Sequence, residues 1–215
     1  MELSQNIRVF KKRLQISQKK WATIQGHSLR TVNMILSIIS KFNLTQRTDV
    51  FSQDLLTRFD CVQSRLEFHL AGSINKNIAE LNNSLIQFSD VVKEMWKIEK
   101  QFRRDFLTFA KKRALEDDKQ RPHDLEIIDQ AEKTIQEIIS MYETELALRK
   151  QIILEIQESI TPQPHMITGY LVLWSSEIYI ETTRIHELIE EFSFVEKIYD
   201  RFHQPESINS VQNNR

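Results

Sequence analysis

The 215-residue sequence predicts an all-α protein, in which long antiparallel helices form an elongated coiled coil or helical bundle with a compact C-terminal helical cap. Three observations support this fold class. The chain contains only three glycines and four prolines, too few for the many tight turns of a sheet protein. Apolar residues recur every three or four positions over long stretches, as they do on one face of a helix. Charged residues make up 27% of the chain and are mixed in sign, which is typical of solvent-exposed helix faces.

The sequence divides into four predicted regions. Residues 1–111 are predicted to form a long helical hairpin, and the charged, proline-containing residues 112–124 a linker. A C-terminal helical module follows at residues 125–203. The polar residues 204–215 are predicted to be a disordered tail.

The hairpin consists of two predicted helices. The first runs from Ser4 to Phe42 and the second from Gln53 to Lys111. The second helix carries a heptad seam, in which the steps alternate between four and three residues and which needs a facing helix to bury it. The seam consists of Ile74, Ile78, Leu81, Leu85, Phe88, Val92, Met95, Glu99, Phe102, Phe106 and Phe109. We predict coiled-coil pairing with a partner through Leu81, Leu85, Phe88, Val92 and Met95.

The C-terminal module contains three predicted helical segments. The first runs from Leu125 to Ile160 and ends before two closely spaced prolines, which lack the backbone amide that a helix needs. A short segment from Ile167 to Trp174 follows. The last predicted helix runs from Glu177 to Phe202.

The charge balance limits the classes of partner. With 29 basic and 30 acidic residues, the chain is not expected to bind nucleic acid directly as its main role. The basic residues Arg103-Arg104 and Lys111-Lys112-Arg113 leave two alternatives for that segment, nucleic acid or an acidic partner. The apolar stretches are too short for a membrane span, so no membrane partner is expected. The N-terminus lacks a signal-peptide pattern, and a single cysteine fits a reducing compartment, so we expect the nucleus or the cytoplasm.

No pattern of catalytic or ligand-binding residues is found, and we expect neither an enzyme nor a cofactor or metal site. The three glycines stand too far apart for a phosphate-binding loop. The six histidines fall at no metal-ligand spacing. The only cysteine, Cys61, lies near the heptad seam and is predicted to be a small buried apolar residue rather than a nucleophile. A binding protein is the class that remains.

The C-terminal module has an aromatic stretch with two interpretations. Residues 169–181 combine two tyrosines and a tryptophan with several aliphatic residues, and they follow an apolar helix stripe that includes Tyr142 and Leu146. In the first interpretation these segments fold back as a cap with Trp174 in its core. In the second they form an exposed aromatic patch that docks a partner, because Trp and Tyr are frequent in interface hot spots.

The same stretch resembles a known family. The pattern Met-Tyr-x-x-Glu-Leu-x-Leu from Met141, the two basic residues after it, and Tyr-Leu-x-x-Trp from Tyr170 with Tyr-Ile-Glu at 179–181 resemble the C-terminal region of the cyclin-dependent kinase two-interacting protein family. Trp21 and the helical run after it match the N-terminal part of that family more loosely. Ile178 departs from the pattern, since a proline is expected there, and the basic pair reads Arg149-Lys150 instead of the reverse.

The resemblance implies a small, non-catalytic nuclear adaptor. Its implied partners are another small helical protein, the AAA-ATPase-interacting ribosome maturation factor, and an AAA-ATPase complex that acts on replisome substrates and on the maturing large ribosomal subunit. Cyclin-dependent kinase and replication factors are further implied partners. The predicted docking module consists of Tyr142, Glu145, Leu146, Tyr170, Leu171, Trp174 and Tyr179. We expect Trp174→Ala to weaken assembly.

Two alternatives to the adaptor stay open. In the first alternative, the chain is a structural coiled-coil subunit of a tethering or kinetochore-like complex. Such a subunit can also associate with a second copy of itself as a homodimer. A lipid-binding bundle of the curved-dimer type is disfavoured, because it needs a basic concave stripe and the charge balance is near neutral.

Overall fold

The computed structural model describes residues 2–45, 59, 61–114, 121–158 and 164–203. These residues form five helices and no strand, which confirms the predicted all-α class. The helices are α1 (Glu2–Thr45), α2 (Val62–Ala114), α3 (Arg121–Glu158), α4 (Pro164–Ser176) and α5 (Thr182–His203). None of the five combines the length and the apolar composition that crossing a membrane requires.

The chain folds into two compact units, each assembled from segments that lie far apart in sequence. Unit 1 takes its described residues from 1–17, 94–140 and 181–215, and unit 2 from 18–93 and 141–180. The three long helices therefore each contribute to both units. The predicted division into a hairpin and a C-terminal module does not coincide with these units.

Unit 1 has a core of aromatic and aliphatic side chains. The ring of Phe102 on α2 lies 5.3 Å from that of Phe10 on α1 and 6.4 Å from that of Phe192 on α5. The one polar member of the heptad seam, Glu99, is buried here, and its carboxylate accepts a hydrogen bond of 3.0 Å from the Gln136 amide of α3. This bond satisfies a group whose burial would otherwise be unfavourable.

Unit 2 contains antiparallel packing of α1 and α2. The rings of Trp21 and Phe88 lie 4.2 Å apart, and further along α1 the Gln63 side chain donates to the Thr45 carbonyl at 2.8 Å. Trp21 pairs with Phe88, and the later residue Thr45 pairs with the earlier residue Gln63, so the two helices run in opposite directions. The Tyr142 ring of α3 also contacts Trp21, with 5.0 Å between centroids.

The heptad seam is buried within the single chain. Leu81, Phe88, Val92 and Met95 are at most 5% exposed, and Leu85 is half-buried. Helices of the same chain therefore cover most of the seam, and its burial needs no second protein. Coiled-coil pairing of these five residues with a partner stays a prediction.

The two largest errors in the predicted helix starts both fall at residues with a positive φ. The second helix begins at Val62 instead of Gln53, because Cys61 has φ 70° and the Val62 amide donates to the Phe59 carbonyl in a turn. Residues 53–58 lie outside the described residues. Cys61 is exposed, which corrects its predicted burial.

The last helix begins at Thr182 instead of Glu177. Glu177 has φ 45°, and the Ile180 amide donates to the Glu177 carbonyl at 3.0 Å, which closes a turn after α4. The left-handed region is unfavourable for a residue with a Cβ, so the helix cannot start there.

The structure also extends helices into the predicted linker. α2 continues to Ala114 and α3 begins at Arg121, so residues 112–114 and 121–124 are helical. Residues 115–120 and the predicted tail at 204–215 lie outside the described residues.

Candidate functional site

The side chain of Arg149 on α3 lies fully buried in unit 2. Its Nε donates to Glu145 Oε1 at 2.9 Å and its Nη1 to Gln25 Oε1 at 2.7 Å. Its Nη2 lies 3.4 Å from both the Trp174 carbonyl oxygen and Glu177 Oε1. A buried cation is tolerated only with such partners, since its removal from water is otherwise far too costly.

Three aromatic rings surround the same guanidinium. The Arg149 Cζ lies 5.1 Å from the ring centroid of Trp21, 4.4 Å from that of Phe88 and 5.1 Å from that of Trp174. The faces of aromatic rings attract cations, most strongly where water is excluded. We call this set of residues the Arg149 cluster: Arg149, Glu145, Gln25, Glu177, Trp21, Phe88 and Trp174.

The two indole N–H groups of the cluster are also paired. Trp21 Nε1 donates to Glu177 Oε1 at 2.8 Å, and Trp174 Nε1 donates to Ser28 Oγ at 3.2 Å. The Ser28 hydroxyl in turn donates to the Gln25 carbonyl at 3.0 Å. Buried tryptophan is therefore accommodated without an unpaired donor.

Helical spacing explains how the sequence assembles the cluster. Glu145 and Arg149 are four residues apart on α3, and Trp21 and Gln25 are four apart on α1, so each pair shares one helix face. Phe88 is a member of the α2 seam, and α4 ends beside Trp174. Four helices and the turn after α4 thus contribute to one site.

The guanidinium of Arg149 stays charged despite its burial. Burial lowers the pKa of Arg149, and the hydrogen bond and charge of Glu145 and the charge of Glu177 offset only part of this. Because an arginine starts with a pKa far above neutrality, the side chain stays protonated. Burial, and secondly the charge of Glu177, raises the pKa of the neighbouring Tyr142 hydroxyl, which is therefore neutral at physiological pH.

The cluster also holds the turn that follows α4. The second carboxylate oxygen of Glu145 accepts a hydrogen bond of 3.3 Å from the Tyr179 amide. Glu177 has a left-handed backbone conformation that costs about 1–3 kcal/mol for residues other than glycine. Its side-chain bonds to Trp21 and Arg149 offset that cost. The buried ion pair thereby fixes the backbone at residues 177–180.

The outward side of α4 and this turn expose apolar side chains. α4 has no Asp, Glu, Lys or Arg among its 13 residues. Its inward residues Ile167, Leu171 and Trp174 are at most 3% exposed. The exposed apolar residues are Met166 (44%), Val172 (55%), Leu173 (38%), Ile178 (50%) and Tyr179 (45%), which we call the α4 outer face.

This exposure is unusual for a helix of such composition. Helices that are apolar on all sides are normally buried, and clustered exposed apolar residues mark interaction sites. The α4 outer face is therefore the candidate docking surface of unit 2.

The structure separates the residues of the predicted docking module. Tyr142, Glu145, Leu146, Leu171 and Trp174 are at most 5% exposed, Tyr170 is half-buried, and Tyr179 is exposed. Trp174 is therefore a core residue, as in the first of the two interpretations of the aromatic stretch, and is not part of an exposed patch. Tyr179 is the member that is most available to a partner.

Sequence reasoning missed several residues of the site. The sequence motif includes Arg149 only as one of two basic residues. Arg149 nevertheless lies three residues after Leu146 and four before Ile153, on the apolar stripe of α3. A charged residue at an inward position of such a stripe is a readable signal of a buried ion pair. No local signal identifies Gln25 or Glu177, because only the fold brings them to Arg149.

The described residues contain no group of three or more His, Cys, Asp or Glu side chains that could hold a metal ion. The carboxylates of the Arg149 cluster accept hydrogen bonds from Arg149, Trp21 and Tyr179. With these oxygens engaged by the chain itself, the arrangement acts as a structural clamp for the α4 outer face.

The five helices of the described residues define a class, the all-α helical bundle proteins. More particularly, the chain belongs to the family described as ribosome biogenesis protein C1orf109-like, whose model matches residues 1–193. That family is related to the cyclin-dependent kinase two-interacting protein family, so the resemblance is confirmed at this broader level. A comparison with curated proteins found no match.

Proposed function

We propose that this protein is a non-catalytic adaptor in ribosome maturation, which pairs with a second small helical protein and attaches the pair to an AAA-ATPase complex through the α4 outer face. Its family is a ribosome biogenesis family. The observation that carries the proposal is the set of exposed apolar residues on an uncharged helix and its adjoining turn.

The α4 outer face is better suited to a partner than the heptad seam. Four of the five predicted pairing residues of the seam are already buried in the single chain, so a partner helix would first have to displace the chain's own helices. Val172 and Ile178 are at least half exposed, and they can bind without such a rearrangement. Interfaces form at apolar residues that both partners remove from water.

The Arg149 cluster supports the same role. A docking surface binds more tightly when its conformation is fixed before binding, because less conformational entropy is lost. The hydrogen bond from the Tyr179 amide to Glu145 and the bonds of Glu177 fix the turn that presents Ile178 and Tyr179. The cluster is therefore a positioning device for the docking surface.

The proposal also includes the more specific functions implied by the resemblance to the cyclin-dependent kinase two-interacting protein family. The assembly would act in pre-60S ribosome maturation and in replisome proteostasis, with cyclin-dependent kinase and replication factors as further contacts. We place the protein in the nucleus, with the cytoplasm as a second compartment. It is proposed to have no catalytic activity of its own.

Affinity capture with the tagged full-length chain tests this proposal. We expect quantitative mass spectrometry to recover AAA-ATPase subunits together with one small helical protein. The double variant Val172→Glu/Leu173→Glu should lower the recovery of the AAA-ATPase subunits about tenfold or more, because it places charges in a buried apolar interface. Ile86→Glu on α2 is the matched control, since Ile86 is an exposed apolar residue of unit 2 outside the α4 outer face (60% exposed).

The variant should keep the wild-type melting temperature, because exposed substitutions usually change stability by no more than about 0.5 kcal/mol. Unchanged recovery of the AAA-ATPase subunits with the double variant would contradict the docking role of α4. A wild-type chain that forms a stable homodimer and captures no ATPase would favour the structural coiled-coil alternative.

A further inference from the structure

Unit 1 contains a second surface that the proposed adaptor role does not use. An open groove of about 630 Å³ lies along α2, with Gln136 of α3 contributing to its lining. Four basic side chains line it: Lys97, Lys100, Arg103 and Arg104. All four are exposed to solvent.

The positive charge of the groove is largely uncompensated. Its one carboxylate, Glu99, is buried and bonded to Gln136. Among the described residues, Lys97 and Lys100 form no ion pair, and the Arg104 guanidinium donates to the Gln101 side-chain oxygen at 2.7 Å. The Glu132 carboxylate lies 3.6 Å from Arg103, whose side chain is 62% exposed. Ion pairs this exposed are weak, so Arg103 can turn to another anion.

Two apolar residues lie at the ends of this basic surface. Trp96 is half-buried, and Leu107, which is 49% exposed, follows it eleven residues later on the same helix. Three helical turns, roughly 16 Å, separate the two residues. The four cations lie between them in the sequence of α2.

We propose that this groove binds single-stranded RNA, with phosphates on the four cations and a base stacked on Trp96. Basic grooves with an aromatic platform are the usual means of binding single strands, because every base offers a face for stacking. The Gln136 side-chain oxygen adds an acceptor for base edges, while its amide hydrogens donate to Glu99 and Glu132. The family's role in ribosome biogenesis fits a ligand of this class.

An acidic helix from a protein fits the groove less well. A partner helix needs a continuous apolar stripe on which to bury its own apolar face. Here the two apolar residues stand three turns apart with cations between them. Phosphates require only the cations.

The total charge of the chain does not indicate this basic surface. The near-neutral balance of 29 basic and 30 acidic residues predicted no direct nucleic-acid partner. Total charge averages over the whole chain, whereas binding depends on the charges that the fold gathers in one place. The RNA site is independent of the α4 outer face, so either proposal can fail alone.

Fluorescence anisotropy with the full-length chain and a labelled single-stranded RNA of about twelve nucleotides tests the site. We expect saturable binding that weakens as salt is added. Lys97→Ala/Lys100→Ala should weaken binding about tenfold at low salt and reduce the slope of log K against log salt by about 1.4, because two phosphate contacts are lost. Lys41→Ala/Lys76→Ala is the control, with the same loss of charge at exposed lysines of unit 2.

Trp96→Ala separates stacking from charge attraction. This variant should weaken binding roughly tenfold and leave the salt slope unchanged, because it removes a stacking contact and no cation. Absence of saturable binding by the wild-type chain would overturn the proposal, as would an equal loss in the lysine control. If Trp96→Ala binds RNA normally and a polyglutamate peptide of equal charge displaces the RNA, the ligand is instead an acidic protein segment.

Discussion

The cores of the two units are built from different kinds of side chain. In unit 1, the ring of Phe102 contacts those of Phe10 and Phe192, and the core is mostly apolar, with the buried Glu99 carboxylate bonded to Gln136. In unit 2, the guanidinium of Arg149 lies among three aromatic rings and is bonded to two carboxylates. The core of unit 1 therefore depends mainly on apolar packing, whereas that of unit 2 also contains a buried cation that needs a set of polar partners.

The difference indicates which unit has the more closely specified geometry. In an apolar core, replacing one apolar residue by another of similar volume usually lowers the free energy of unfolding by less than about 1.5 kcal/mol. A buried charge is tolerated only in arrangements that pair every donor and acceptor, so alternatives to the native arrangement are few. Unit 2 is also the unit with the exposed apolar helix. A closely specified core beneath the α4 outer face keeps that face in one conformation.

The largest loss of stability in this comparison is expected for Arg149→Met in unit 2. The substitution leaves Glu145 and Glu177 without their cation, and breaking a buried pair in this way costs about 3–5 kcal/mol. Urea denaturation followed by circular dichroism measures the free energy of unfolding.

Phe102→Leu provides the matched change in unit 1, because it alters a buried residue without leaving a charge unpaired. Its expected cost is about 1.5 kcal/mol. Equal losses for the two variants would mean that the charged core is no more demanding than the apolar one.

The smallest effect concerns Tyr142 and appears only at alkaline pH. Burial, with the charge of Glu177, raises the pKa of this tyrosine above the ordinary tyrosine value of 10.0. The unfolded chain ionises first, so the stabilising contribution is fully present below about pH 10 and is lost as the pH rises further. Tyr142→Phe should therefore lose less stability than the wild type between about pH 9 and pH 11, as read from melting temperatures. Parallel pH profiles for the two proteins would contradict this.

The sequence supported the fold class better than it supported the site. Few glycines and prolines and a period of three to four residues were enough to predict long helices, because both signals are local. The heptad seam identified a buried face correctly, but periodicity cannot say which helix covers it. Here the chain's own Trp21 contacts Phe88.

The errors in the helix boundaries have a tertiary cause. Cys61 and Glu177 adopt a positive φ although neither is glycine, so no local residue preference marks the turns. At Glu177, the bonds to Trp21 and Arg149 that hold the turn come from 156 and 28 residues away. The role of Arg149 is equally hard to predict, because its partners other than Glu145 lie on other helices or in the turn after α4.

Amide hydrogen exchange at Tyr179 tests most directly whether the buried ion pair holds the turn of the α4 outer face. The amide lies in an exposed turn, and Glu145 is its hydrogen-bond partner. We expect slow exchange of this amide in the wild-type chain and fast exchange in Glu145→Gln, with the helices of unit 1 protected in both. Fast exchange of the Tyr179 amide in the wild-type chain, while the helices stay protected, would show that the Arg149 cluster does not hold the turn.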